Sequence, residues 1–174
     1  MLPAGVSLVS LTPHRDERGV FTELFRTSWQ LDVAPAQWNA VSSAANVLRG
    51  VHVHWRHADY LAVVAGQMVI GLHDLRESSR TSGMGACVEL DSRAPTALTI
   101  PPGVAHGFYF LEPSIHVYAV THEWDPADEL GCRWDDPELG IGWPCTDPVL
   151  SERDRSLGPL NELRASVRAA LAAF

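Results

Sequence analysis

The stretch YLAVVAGQMVIGLHDL, Tyr60 to Leu75, sets two apolar runs on either side of Ala65-Gly66-Gln67, and it decides the fold. Its alternation of apolar and polar residues about a glycine turn is the pattern of strands in a sheet. The same alternation appears in VFTELF, Val20 to Phe25, and in VLRGVHVHW, Val47 to Trp55. In LTIPPGVAHGFYFL, Leu98 to Leu111, a Pro-Pro-Gly turn separates two more runs. IHVYAVT, Ile115 to Thr121, then places His116, Tyr118 and Val120 on one face, a candidate for the interior of a barrel. Many short strands at close spacing predict an all-β barrel or sandwich. The segment from His122 to Pro148 is too rich in Asp and Pro for a central strand and reads as an ordered loop laid over the barrel. Beyond Pro159, Leu160, Leu163, Val167, Leu171 and Phe174 recur at three or four residues. That spacing predicts a C-terminal helix over about 159–173, its apolar stripe on the outside of the sheet.

A chain of 174 residues with 46% apolar content suits a single domain over 1–174. No apolar run is long enough to cross a bilayer, and the N-terminus MLPAGVSLVS lacks the basic start and apolar stretch of a secretion signal, so a cytoplasmic protein is expected. Cys87, Cys132 and Cys145 are odd in number and far apart, as unpaired thiols in a reducing compartment would be. A net charge of −8 argues against nucleic acid as a partner, because that binding draws on clustered Lys and Arg. Arg15, Arg18, Arg26, Arg49 and Arg56 nonetheless fall in the first third, where they suit a small phosphate-bearing ligand.

Chemistry concentrates in VLRGVHVHW. In a strand His52 and His54 share a face, and if Val51, Val53 and Trp55 turn to a hydrophobic layer the histidines turn to solvent or to a cavity. Taken alone, a strand histidine is more often structural. A histidine that removes a proton from carbon near neutral pH needs a carboxylate to fix its tautomer, and Asp154 in LSERD is available, although its spacing equally suits a helix cap or a solvated charge. Tyr118 has a phenol that either serves as an acid across a bound substrate or packs in the core with its hydroxyl at the surface.

Seven pieces occur in order: DERGVFTELFR (Asp16 to Arg26), QWN (Gln37 to Asn39), VLRGVH (Val47 to His52), IPPGVAHGF (Ile100 to Phe108), VYAVTHEW (Val117 to Trp124), RWDDPELGIGWP (Arg133 to Pro144) and LSERD (Leu150 to Asp154). Together, over about Leu11 to Leu163, the chain resembles the dTDP-4-dehydrorhamnose 3,5-epimerase family. The resemblance implies a cupin-type jelly roll that forms a homodimer through exchange of N-terminal strands. It also implies cofactor-independent proton exchange at C3 and C5 of a nucleotide-linked 4-keto-6-deoxyhexose, in deoxysugar biosynthesis for polysaccharide or antibiotic. Carried over, His52 is the base, Asp154 its orienting partner and Tyr118 the acid on the opposite face. Arg18, Phe21 and Glu23 match residues that reach the nucleotide, often across the dimer interface. Gln37, Asn39 and Arg49 match residues that hold the diphosphate or sugar, His106 matches a substrate contact, and Trp124 matches an aromatic ring near the nucleotide.

One departure stands out. Members of that family carry a lysine where this chain has Asp59, so the cation at the developing enolate oxygen is missing, and His54, Arg56 or His57 would have to replace it. A second reading takes His52, His54, Asp59 and His106 as ligands of Fe(II), Mn(II), Ni(II) or Zn(II) in a metal-dependent isomerase or oxygenase. A third takes the chain as an inactive sensor of nucleotide sugars. Metal content separates the second reading from the others, and solvent deuterium uptake separates catalyst from sensor.

Overall fold

The computed structural model describes residues 1–29, 31, 33–125 and 129–172, the last three by backbone alone. Its strands run β1 (Ser7–Ser10), β2 (Pro13–Asp16), β3 (Gly19–Thr22), β4 (Gln37–Ser43), β5 (Leu48–Val53), β6 (Asp59–Ala65), β7 (Gln67–Asp74), β8 (Gly85–Asp91), β9 (Thr96–Ile100), β10 (Val104–Phe110), β11 (Ser114–Val120) and β12 (Leu130–Gly131), followed by helices α1 (Glu152–Arg155) and α2 (Leu160–Ala172). Ten of these strands form two five-stranded antiparallel sheets, ordered β1-β9-β6-β11-β4 and β12-β5-β10-β7-β8, while β2 and β3 make a separate hairpin. The all-β expectation holds. VFTELF is strand only as far as Thr22, and the loop predicted over 122–148 contributes the two-residue edge strand β12.

The period of two explains how the layers are filled. Leu61 and Val63 of β6, Met68, Ile70 and Leu72 of β7, Leu98 and Ile100 of β9 and Phe110 of β10 point between the sheets and form the central core. Tyr60 and Ala62 point the other way and pack with Leu11, Val33, Phe25 and Trp29 from the N-terminal segment. On the outside of the second sheet Val51, Val53 and Ala105 are covered by Cys132, Leu139 and the Leu160, Leu163 and Val167 stripe of α2. The predicted helix and its outer packing are thus observed; Leu171 lies beyond the described side chains, and Phe174 outside the described residues.

From Leu130 to Trp143 the chain lies over the second sheet, within the loop expected to cover the barrel, and glycine makes room for it. Trp143 seats its ring over the strands, where a Cβ on Gly71 would come within 2.5 Å of its Cζ2. Its indole N–H donates to the Trp134 carbonyl at 2.9 Å. The three cysteines are unpaired, and no helix among the described residues is long and apolar enough to cross a membrane.

At one end of the sandwich the inward positions turn from apolar to polar. Asp59 and His106 belong to β6 and β10, whose inward residues build the core, and Gln37, Asn39, Arg49, His52, His116 and Tyr118 stand on β4, β5 and β11.

Candidate active site

The polar end encloses a cavity of about 490 Å³, lined in part by Arg49, His52, His106, Tyr118, Trp124 and Asp154. That size suits a small-molecule ligand. His52 stands on β5 and Tyr118 on β11, strands of the two facing sheets, so they approach the cavity from opposite walls. Facing sheets pack about 10 Å apart, a gap that admits one sugar ring.

Asp154 reaches His52 by a defined route. Val149 forms a parallel bridge with Val47 and donates its N–H to the Asn46 carbonyl at 2.7 Å, which docks the returning chain at the start of β5. Ser151 then caps α1, its hydroxyl accepting the Asp154 N–H at 3.0 Å. The Asp154 side chain turns inward, 5% exposed, and its Oδ1 lies 2.7 Å from His52 Nε2. The Gly50 N–H donates to its Oδ2 at 3.4 Å. Gly50 has φ +111°, and a Cβ there would meet Gly107 Cα and the His106 carbonyl at 2.9 Å, so only glycine permits this approach. Burial alone would raise the Asp154 carboxyl, but the His52 bond and charge, the Gly50 N–H and the Ser151 hydroxyl outweigh it and hold the group below its ordinary value. With Nε2 engaged by the carboxylate, His52 keeps Nδ1 for a substrate. The sequence left Asp154 as a cap or a solvated charge; here Ser151 is the cap and Asp154 is the buried partner.

Tyr118 is half-buried, and its phenol is pushed up, first by burial and then by the negative charges of Asp59 and Glu129, so it carries its proton through neutral pH. His106, register partner of His52 across β5 and β10, bonds through Nδ1 to the Val104 carbonyl at 3.1 Å; burial foremost lowers it to about 4 and keeps it neutral. Arg49 donates to the Ser43 hydroxyl at 3.0 Å. Trp124 ties the loop to β4, its backbone N–H donating to Gln37 Oε1 and its indole N–H to Glu129 Oε1, both at 3.0 Å. Gln37 in turn donates to Asn39 Oδ1 at 2.9 Å, and Asn39 is the register partner of Tyr118.

Eight of the eleven expected residues therefore gather around this end of the barrel, and three do not. Arg18, on the β2–β3 hairpin turn, is 84% exposed and pairs with Asp16 at 2.5 Å. Phe21 is exposed on the same hairpin, and Glu23 is bound by Arg26. Glu129, Arg153, Phe108 and His116 also line the cavity without having been singled out. Glu129 and Arg153 pair with each other at 2.8 Å. Glu129 sits in irregular chain and Arg153 in the single turn of α1, too short to show a period, whereas the period of two did put His116 on the inner face.

Asp59, the first residue of β6, lines the cavity as the alignment of motifs expected, and His54 lines it too. Arg56 does not serve there; its guanidinium binds Asp125 at 2.9 Å. His57 lies behind His54, the rings stacked with centroids 4.3 Å apart. His106 Nε2 lies 3.9 Å from Asp59 Oδ2, but among the described residues His52, His54, Asp59 and His106 do not form one cluster of ligand atoms. The ligand atoms of His54, His57 and Asp59 do lie within 4.8 Å of one another, and those three residues could hold a divalent ion.

Comparison with known proteins decides between the families of reaction. A family model described as dTDP-4-dehydrorhamnose 3,5-epimerase matches residues 3–162. The protein of that name from Methanothermobacter thermautotrophicus is 34% identical over 168 residues, 91% of either chain. The Mycobacterium tuberculosis rmlC epimerase superposes with a TM-score of 0.87 at 31% identity, over 94% of this chain and 88% of that one. ChmJ, a 3'-monoepimerase from Streptomyces bikiniensis solved with dTDP-quinovose, superposes with a TM-score of 0.86 at 29% identity, over 98% and 90%. These relatives set aside the metal-dependent oxygenase or isomerase reading. The chain belongs to the dTDP-4-dehydrorhamnose 3,5-epimerase family.

Proposed function

We propose that this protein epimerises C3, C5 or both of a dTDP-linked 4-keto-6-deoxyhexose. The observation that carries the reading is the 2.7 Å contact between His52 and buried Asp154 on one wall of a sugar-sized cavity, with the Tyr118 phenol on the wall opposite. Nδ1 of His52 takes the proton from the carbon beside the ketone, and the electrons of that C–H bond move into an enolate. Asp154 stabilises the imidazolium so formed. Tyr118 then delivers its proton to the same carbon from the other face, which inverts the centre; the imidazolium releases its proton to solvent and solvent returns one to the phenolate. Arg49 and His54 are the cavity residues suited to the enolate oxygen, in place of the lysine that Asp59 replaces. Arg49, Gln37, Asn39, His106 and Trp124 bind sugar, diphosphate and base.

Arg18, Phe21 and Glu23 take part by a different route. Their hairpin stands apart from the cavity of its own chain, so in a homodimer with exchanged N-terminal strands it would complete the partner's nucleotide pocket. Sedimentation as a monomer at micromolar concentration would rule this out. A cytoplasmic setting fits three unpaired thiols and a nucleotide-linked substrate.

Deuterium uptake from solvent at C3 and C5, followed by mass spectrometry with a panel of 4-keto nucleotide sugars, tests the activity and its regiochemistry. His52→Asn is expected to abolish uptake at both carbons. Full uptake by that variant would overturn the role of the base.

A further inference from the structure

His116 stands two residues before Tyr118 on the inner face of β11, the two ring centroids 5.8 Å apart at 29°. Phe108 and Phe110 close on it at 5.4 and 5.6 Å, and Val41 and Val63 are its register partners on β4 and β6. These surroundings suit a phenylalanine. The imidazole is 2% exposed yet lines the cavity, and its Nδ1 is enclosed without a hydrogen-bond partner. A buried polar group left unpaired destabilises a fold, so packing does not account for a histidine here.

The tautomer follows from the same enclosure. Burial first, then the charge of Arg49, lowers His116 to about 4, so the ring is neutral and carries one proton. An enclosed N–H without an acceptor is costlier than an enclosed lone pair, which puts the proton on Nε2. The ring then offers a donor to the cavity. Asn39, register partner of Tyr118 on β4, has its oxygen occupied by Gln37 while its buried Nδ2 is unpartnered. Asn39 lies outside the cavity lining, so His116 is the donor at the wall beside Tyr118.

We propose that His116 forms a subsite for one ring hydroxyl of the hexose and thereby selects among sugars; this rests on the nucleotide-sugar reading above. A neutral donor in an aromatic-walled recess suits an uncharged hydroxyl, because a phosphate there would lose its hydration without gaining a cation. The histidine is retained for recognition at the expense of packing.

Calorimetric binding of dTDP-glucose, its 2-deoxy and 3-deoxy counterparts and dTDP itself tests this without requiring turnover. His116→Phe is expected to weaken dTDP-glucose about tenfold, leave dTDP unchanged and raise the melting temperature. The difference between wild type and variant is expected to vanish for one of the two deoxy sugars. His116→Gln, which restores an N–H, is expected to recover part of the affinity. Unchanged dTDP-glucose binding by His116→Phe, an equal loss for dTDP, or a lowered melting temperature would each overturn the proposal. Failure of the wild type to bind dTDP would instead remove the nucleotide-sugar reading, and the subsite with it.

Discussion

Replacing Asp154 by Asn is the sharpest perturbation of the proposed chemistry, because it removes one charge and little volume. The amide can still accept from His52 Nε2 across the same 2.7 Å, so the ring orientation survives. What is lost is attraction between carboxylate and imidazolium. For charges about 4 Å apart at an effective dielectric of about 20 this attraction is about 4 kcal/mol. His52 is 21% exposed, so solvent screens part of it, leaving roughly 2–4 kcal/mol. At about 1.4 kcal/mol per decade, proton abstraction is expected to slow by about 30- to 1,000-fold. The assay is the initial rate of deuterium uptake at neutral pH. The KM is expected to move little, since the carboxylate is engaged with His52 and the Gly50 N–H. Uptake within about threefold of wild type would refute the dyad, as would a loss confined to KM.

Tyr118→Phe is expected to retain deuterium uptake while blocking inversion at one or both centres, because the base remains and the opposing acid is gone; product stereochemistry by NMR checks it. Gly50→Ala is expected to destabilise the fold by about 2 kcal/mol or more and to lower activity further than stability requires, since φ +111° disfavours alanine and its Cβ would displace β10 at His106; thermal melting with activity on the folded fraction separates the two effects. Acid sensitivity is expected from His106 and His116, both lowered from 6.5 to about 4. The unfolded chain takes up these protons below about pH 6.5 and the folded chain only near pH 4, so stability falls as pH drops through that window, by up to about 1.4 kcal/mol per pH unit for each group. Asp154, whose folded value is depressed, adds its own loss only below its ordinary 3.8. Urea unfolding at pH 7, 6 and 5 measures the slope, and a midpoint that does not fall would contradict it.

What the sequence made legible was whatever repeats with a period. Alternation in β6, β7, β10 and β11 located the sheets, and that in VLRGVHVHW put His52 and His54 on the face opposite Val51 and Val53, as observed. The three-to-four spacing of Leu160, Leu163 and Val167 located α2 and its buried side. The motifs brought His52, Tyr118 and Asp154 to attention together through likeness to a family, whereas spacing alone left Asp154 undecided. Pairing of residues 102 positions apart depends on how the 145–154 chain docks on Asn46 and Val47. Glu129 and Arg153 were missed because one lies in irregular backbone and the other in a single helical turn, neither long enough to show a period. Arg18, Phe21 and Glu23 were readable as types but not as places, because they stand away from the cavity and Arg18 and Glu23 pair with their own neighbours Asp16 and Arg26.

That docking also divides the molecule into a part that holds shape and a part that licenses chemistry. The sheets keep a core that does not involve the 145–154 segment, while the orienting carboxylate hangs from a short bridge, one capped turn and a few backbone bonds. Sub-global opening of such a peripheral segment requires less free energy than melting the sandwich. Mild denaturant should therefore silence the imidazole while circular dichroism still reads native, with inactivation running ahead of unfolding.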